Sequence, residues 1–175
     1  MQILTISGSL RAHSANTAVL EAIRLVAPSD TSVTRYAGLG ALPPFNPDDD
    51  GEIPPREVAA LRAAVARADA LIVSSPEYAH GVPGALKNLL DWLVASVEFP
   101  GKTVALINAS PRARHAQAQL VEVLTTMNAV LAPPAPVDIP LLGRTLDAAA
   151  IAADPELGGL LRGVLAAIGK TLETT

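Results

Sequence analysis

Three short apolar runs, Ile3 to Ile6, Ala70 to Val73 and Val104 to Ile107, limit what this 175-residue chain can fold into more than any other feature. They are continuous rather than alternating. A strand with one wet face alternates polar and apolar residues, because successive side chains point to opposite sides; a run without that alternation must be covered on both faces. Parallel strands between two helical layers have this signature. Helical spacing fills the intervals: Val19, Ile23 and Val26, then Val58, Leu61 and Val65, then Leu86, Leu89, Leu90 and Leu93. Each set recurs at three or four residues and so forms one apolar stripe. Weaker strands at Val33 to Tyr36 and at Val130 to Leu131, the latter resuming around Val137 to Ile139, join helices at Gln117 to Met127 and Leu157 to Leu172. The alternation predicts five strands and five helices in one doubly wound α/β domain over residues 1–175. A chain of this length buries about 70% of the surface its unfolded form exposes.

Two stretches interrupt the rhythm and read as loops: Gly38 to Pro55, rich in Pro and Asp, and Leu131 to Gly143, where prolines crowd from Pro133 onward. The run Asp48-Asp49-Asp50 reads as a solvated loop rather than a magnesium site. Composition removes several function classes. The absence of cysteine excludes disulfides, thiolate nucleophiles and cysteine-held clusters, so any redox chemistry has to come from a cofactor. His13, His80 and His115 lie far apart and form no H-x-x-x-H pair, so no metal site is expected. A net charge of −4 without a basic stripe argues against a nucleic-acid partner. No apolar run approaches the roughly 18 residues of a membrane span. The start, Met1 to Ile6, reads as a strand and lacks the pattern of an export signal, so a cytoplasmic location and small-molecule partners are expected.

In open parallel sheets ligands sit beyond the carboxyl ends of the strands. The loop after the first run, Ser7-Gly8-Ser9-Leu10-Arg11-Ala12-His13-Ser14-Ala15-Asn16-Thr17, carries four hydroxyl residues, an arginine and an asparagine into a helix start. A helix N-terminus favours an anion, and Arg11 with Ser9, Ser14, Asn16 and Thr17 suits a phosphate monoester. The same residues also suit a helix cap beside a solvated arginine. Neither G-x-x-x-x-G-K-[ST] nor G-x-G-x-x-G occurs, which removes an NTPase loop and a dinucleotide fingerprint and leaves a mononucleotide phosphate. A receiver domain is set aside because Ser74 and Ser75 stand where it needs a phosphorylatable Asp, and an α/β-hydrolase because no G-x-S-x-G elbow occurs.

After the second run comes Ser74-Ser75-Pro76-Glu77-Tyr78-Ala79-His80-Gly81-Val82-Pro83-Gly84-Ala85-Leu86-Lys87-Asn88-Leu89-Leu90-Asp91-Trp92. Together with Gly8-Ser9-Leu10-Arg11, Ser14, Asn16 and Leu42-Pro43-Pro44-Phe45-Asn46-Pro47-Asp48, this segment resembles the NADPH-dependent FMN reductase family, over Met1 to about Met127. The resemblance implies a flavodoxin-like three-layer α/β/α sandwich with a five-stranded parallel sheet in the order 2-1-3-4-5. It implies FMN as cofactor and NADPH or NADH as electron donor, with no catalytic side chain because the flavin carries the chemistry. Ser9, Arg11, Ser14, Asn16 and Thr17 would hold the FMN phosphate. Pro76, Glu77 and Tyr78 would lie along the isoalloxazine, His80 and Gly81 would border the substrate space, and Ser110 would belong to a third loop. The acceptor would be a flavin, quinone or similar small molecule, reduced in a ping-pong cycle by a homodimer or homotetramer. A flavodoxin-type electron carrier is the rival class. The chain departs from the family at Ala109 to Ala116, where Arg112 and Arg114 replace a Gly-rich turn and read either as nucleotide contacts or as solvated side chains. Lys87, Asn88 and Asp91 read as a cap with an ion pair, and Trp92 as an interface residue.

Overall fold

Strands and helices alternate as expected in the computed structural model, which describes residues 1–110, 112–141 and 147–174. The order is β1 (Gln2–Ser7), α1 (Ala15–Val26), β2 (Ser32–Arg35), α2 (Arg56–Arg67), β3 (Ala70–Ser74), α3 (Gly84–Val94), β4 (Thr103–Asn108), α4 (Arg114–Thr126), β5 (Val130–Leu131), β6 (Val137–Asp138), α5 (Ala148–Ala153) and α6 (Pro155–Leu172). All strand pairs are parallel, in the order β2-β1-β3-β4-β5, with β6 also on β4. Every residue of β3 and β4 is buried, which is why their sequences lack alternation. One face of the sheet packs on Val19 and Ile23 of α1 and Leu157, Leu161 and Ile168 of α6. The other packs on Val58 and Leu61 of α2, Leu86 and Leu89 of α3 and Leu120 of α4.

The fifth strand is split. Val130 and Leu131 pair with Thr103 and Val104, Val137 and Asp138 pair with Ile107 and Asn108, and between them the chain leaves the sheet through Pro133, Pro134 and Pro136. Proline offers no N–H to a ladder, so a proline-rich stretch cannot continue one. The short helix α5 was not anticipated, and Leu142 and Gly143 of the expected loop lie outside the described residues.

The loop from Gly38 to Pro55 holds two short 3-10 helices, Leu39–Ala41 and Pro47–Asp49, and folds over α3. Phe45 N donates to Asn88 Oδ1 (2.7 Å), while Asn88 Nδ2 and Trp92 Nε1 both donate to Pro43 O (2.9 Å each). The Phe45 ring meets Trp92 edge-on at 5.0 Å. Trp92 is therefore fully buried inside its own chain, and the expectation of an interface tryptophan is corrected. Asp50 likewise turns inward, accepting from Arg62 Nη2 at 2.7 Å, so the acidic run is only partly solvated. Lys87 and Asp91 form the expected ion pair. No helix among the described residues is long and apolar enough to cross a membrane.

Candidate functional site

The central strands β1, β3 and β4 each end in a buried polar residue, Ser7, Ser74 and Asn108, with Ser7 in register with Ser74. Apolar runs that finish on polar side chains mark the edge where the sheet meets its loops. Gly8 N donates to Ser74 O (2.8 Å), and a Cβ on Gly8 would lie 2.6 Å from Ser75 Oγ, so the first and third loops approach at a distance only glycine allows. Asn16 Oδ1 accepts from Ser74 Oγ (2.8 Å), and the Thr17 and Ser7 hydroxyls share a hydrogen bond (2.9 Å). These bonds fasten the start of α1 to two strand ends. Ser14 is the N-cap of α1, its hydroxyl accepting from Thr17 N at 3.5 Å. Ser9 N donates to Ser7 Oγ and Ser9 Oγ accepts from Arg11 N, both at 3.3 Å. Arg11 is exposed and makes no ion pair among the described residues.

Two clefts flank this loop. One, of about 530 Å³, is lined by His13, Ser14 and Thr17 but also by the carboxylates Glu21 and Asp147. Burial pushes the Glu21 carboxyl up, yet hydrogen bonds from Arg24 and Arg35 outweigh it and hold the group below its ordinary value, so it stays ionised and paired with two guanidinium groups. The other, of about 350 Å³, is lined by Gly8, Leu10, Arg11, Tyr78, Pro83 and Gly84 and contains no carboxylate. Gly84 opens α3, and a Cβ there would meet nothing within 4 Å. An exposed arginine between two helix starts, that of α1 on the first cleft and that of α3 on the second, is an arrangement that suits an anion.

Tyr78 to Gly81 form a two-residue hairpin turn: Tyr78 N donates to Gly81 O (3.1 Å) and Gly81 N to Tyr78 O (2.9 Å). Its central residues, Ala79 (φ 48°) and His80 (φ 60°), are both left-handed without being glycine, a conformation costing of order 1–3 kcal/mol each that persists only where neighbours hold it. Helix α4 supplies those neighbours. Glu77 Oε2 accepts from Ala116 N (2.9 Å), Val82 N donates to Gln119 Oε1 (3.0 Å), and the His80 ring stacks on His115 at 4.3 Å. The N-cap of α4 is Ala113, which has no capping side chain, so Glu77 caps the helix from another loop and places its charge at the positive helix end.

The expected residues thus divide. Arg11 and Tyr78 share one cleft, Ser14 and Thr17 line its neighbour, and Glu77 and His80 turn toward α4. Ser110, half-buried, donates its N–H to Asn108 Oδ1 (3.1 Å), and Asn108 Nδ2 donates to Asp138 Oδ1 (2.7 Å). Arg112 and Arg114 are exposed, and Pro111 lies outside the described residues. Sequence reasoning missed Ser7, Ser74, Asn108, His115 and Gln119. The first three carried a signal, a polar residue closing an apolar run; the His80–His115 contact crosses 35 positions and carried none. Among the described residues no group of three or more His, Asp or Glu could hold a metal ion.

A parallel sheet in this order, with its clefts at the carboxyl ends of β1 and β3, defines a flavodoxin-like α/β protein. Within that class the chain belongs to the NADPH-dependent FMN reductase family, whose model matches residues 1–140. It is similar to the 2-hydroxy-1,4-benzoquinone reductase of a Burkholderia species, 41% identical over 93 residues, 53% of this chain and 49% of the relative. It is 39% identical to an NAD(P)H-dependent FMN reductase of Pseudomonas aeruginosa over 113 residues, 63% of this chain and 60% of that one. The matches therefore span about half to three-fifths of these curated relatives. Among solved structures it is similar to the flavoenzyme NAD(P)H:(acceptor) oxidoreductase FerB of Paracoccus denitrificans, with TM-score 0.81, 26% identity, 99% of this chain and 97% of the other covered.

Proposed function

We propose that residues 1–175 act as one FMN-binding domain that oxidises NAD(P)H and reduces a small acceptor such as a flavin or quinone. The observation that carries this reading is the cleft in which an unpaired Arg11 faces the braced Tyr78 turn across two glycines. The FMN would supply the electron chemistry, taking a hydride equivalent from the nicotinamide and passing it on, as a chain without cysteine requires. Arg11, Ser9 and the α1 start would bind the phosphate. Pro76 and Tyr78 would present fixed backbone along the ring, Gly81 would border the substrate space, and Ser110 would belong to the neighbouring loop after β4. Glu77 and His80 would act as positioning residues, holding that backbone against α4. The likeness to a 2-hydroxy-1,4-benzoquinone reductase and to an FMN reductase supports this acceptor range. A cytoplasmic location and a homodimer or homotetramer complete the proposal.

One cleft serving donor and acceptor in turn gives ping-pong kinetics. The test is anaerobic stopped flow on the FMN-loaded protein: NADPH alone bleaches the flavin absorbance and a later quinone restores it. Flavin that stays oxidised until both substrates are present would overturn the two-step cycle, and flavin that NADPH and NADH never bleach would overturn the function.

A further inference from the structure

Helix α6 packs on the sheet through Leu157, Leu161, Val164 and Ile168. About a third of a turn round the helix lies a second stripe, Glu156, Leu160, Gly163, Ala167 and Lys170, whose spacing of four and three residues in alternation aligns it along the axis. Its first four members form one wall of an open groove of about 480 Å³, and Pro133, Pro134 and Val137 of the divided fifth strand form the other. Glu156 is the only charged residue among those that line it. At mid-stripe Gly163 is exposed, and a Cβ there would meet nothing within 4 Å. The chain's own packing therefore does not call for glycine at this position, although glycine is the poorest helix former after proline. A bare stretch of helix backbone beside an apolar wall lets a second helix come close, since the side chains at the contact set the distance between axes.

Charge decides which helix the groove suits. Glu156 stands seven residues before Gly163 and Lys170 seven residues after it; both are exposed and neither has an ion pair among the described residues. A two-fold axis through Gly163, perpendicular to α6, reverses the stripe, so each Glu156 comes opposite the Lys170 of the other copy. A parallel alignment would instead set like charges together. The face is thus complementary to itself, as an isologous interface requires.

We propose that this groove receives the same face of a second copy, with the two α6 helices antiparallel across Gly163. Because α6 and α3 pack on opposite faces of the sheet, this contact is separate from any made by the exposed Val94 and Val97 at the end of α3. It therefore goes beyond the assembly proposed above and does not depend on it. One such interface makes a dimer, and two that close make a tetramer.

The test is sedimentation of the FMN-loaded protein at micromolar concentration. Gly163→Glu halves the mass, giving dimer from tetramer or monomer from dimer, because two carboxylates meet at the axis. Its side chain has room within its own chain and glutamate is the better helix former, so the variant keeps its circular dichroism and its FMN affinity. Charge reversal gives a second reading. Glu156→Lys and Lys170→Glu each weaken association about 4- to 30-fold, as two symmetric exposed pairs would, and the double variant restores it. An effect confined to one helix predicts the contrary: the double variant puts both charges at the wrong ends of the helix dipole and would be the worst of the three. An unchanged mass for Gly163→Glu, or a double variant that associates no better than the single ones, overturns the α6 contact. If Val97→Asp lowers the mass while Gly163→Glu does not, the assembly stands without this interface; a monomeric unmodified protein removes both. Bleaching of the flavin by NADPH is expected in every variant, so a failure of the reductase function shows separately.

Discussion

Arg11 and Glu77 show how two charged residues in neighbouring loops divide their tasks. Glu77 is satisfied internally by Ala116 N and the α4 terminus, whereas Arg11 has no ion-pair partner among the described residues to give up when an anion arrives. Arg11→Ala is therefore expected to weaken FMN binding by about 1.5–3 kcal/mol, the range for hydrogen bonds to a charged group, while leaving Tm of the flavin-free protein unchanged. Fluorescence titration with FMN reads the first quantity and a thermal melt the second. Arg11 was legible as an anion ligand because its loop is dense in hydroxyls and precedes a helix. The structural side of Glu77 was not, since the uncapped Ala113 it compensates lies on a different loop.

Adjacent glycines in α6 differ in sign at the scale of the element. A Cβ on Gly158 would sit 2.6 Å from Ala152 O at the α5–α6 junction, a backbone contact that cannot give way cheaply; a Cβ on Gly159 would meet nothing within 4 Å. Alanine in a helix interior gains about 1 kcal/mol over glycine, and overpacking costs about 1–3 kcal/mol. Gly159→Ala should then raise stability by about 1 kcal/mol and Gly158→Ala lower it by about as much, as urea titration would show. Acid sensitivity has its element too. Glu21 of α1 joins Arg24 (3.1 Å) of its own helix to Arg35 (2.9 Å) of β2. Its carboxyl is held below the ordinary 4.5, so its contribution is complete above that pH and is lost as pH falls through the lower folded value. Glu21→Gln should flatten the acid side of the Tm profile, by a small amount because the pair is partly exposed. The main strands and helices were legible because burial on both faces, or along one stripe, writes itself into composition. The helix α5 was not: Ala148–Ala153 is alanine apart from one isoleucine, so it has no stripe to detect.

Over the whole molecule, spacing told which α3 residues share a stripe but not what covers them. The leucines of α3 are buried against the sheet and Trp92, which suggested an interface, under the chain's own loop, leaving Val94 (61% exposed) and Val97 (88%) at the helix end as exposed apolar surface that the proposed assembly would cover. Sedimentation at micromolar concentration should give a dimeric or tetrameric mass, and Val97→Asp should shift it toward monomer; a monomeric mass for the unmodified protein would refute the assembly. The sheet's own borders carry a different consequence. A foreign strand can add to a sheet only along an unbroken row of free N–H and C=O groups. Here one border is the four-residue β2, ending in a charged arginine, and the other is two pairs of residues separated by prolines. Neither offers a template long enough to recruit another chain edge to edge, so crowding this protein should favour association through side chains and leave fibre growth without a seed.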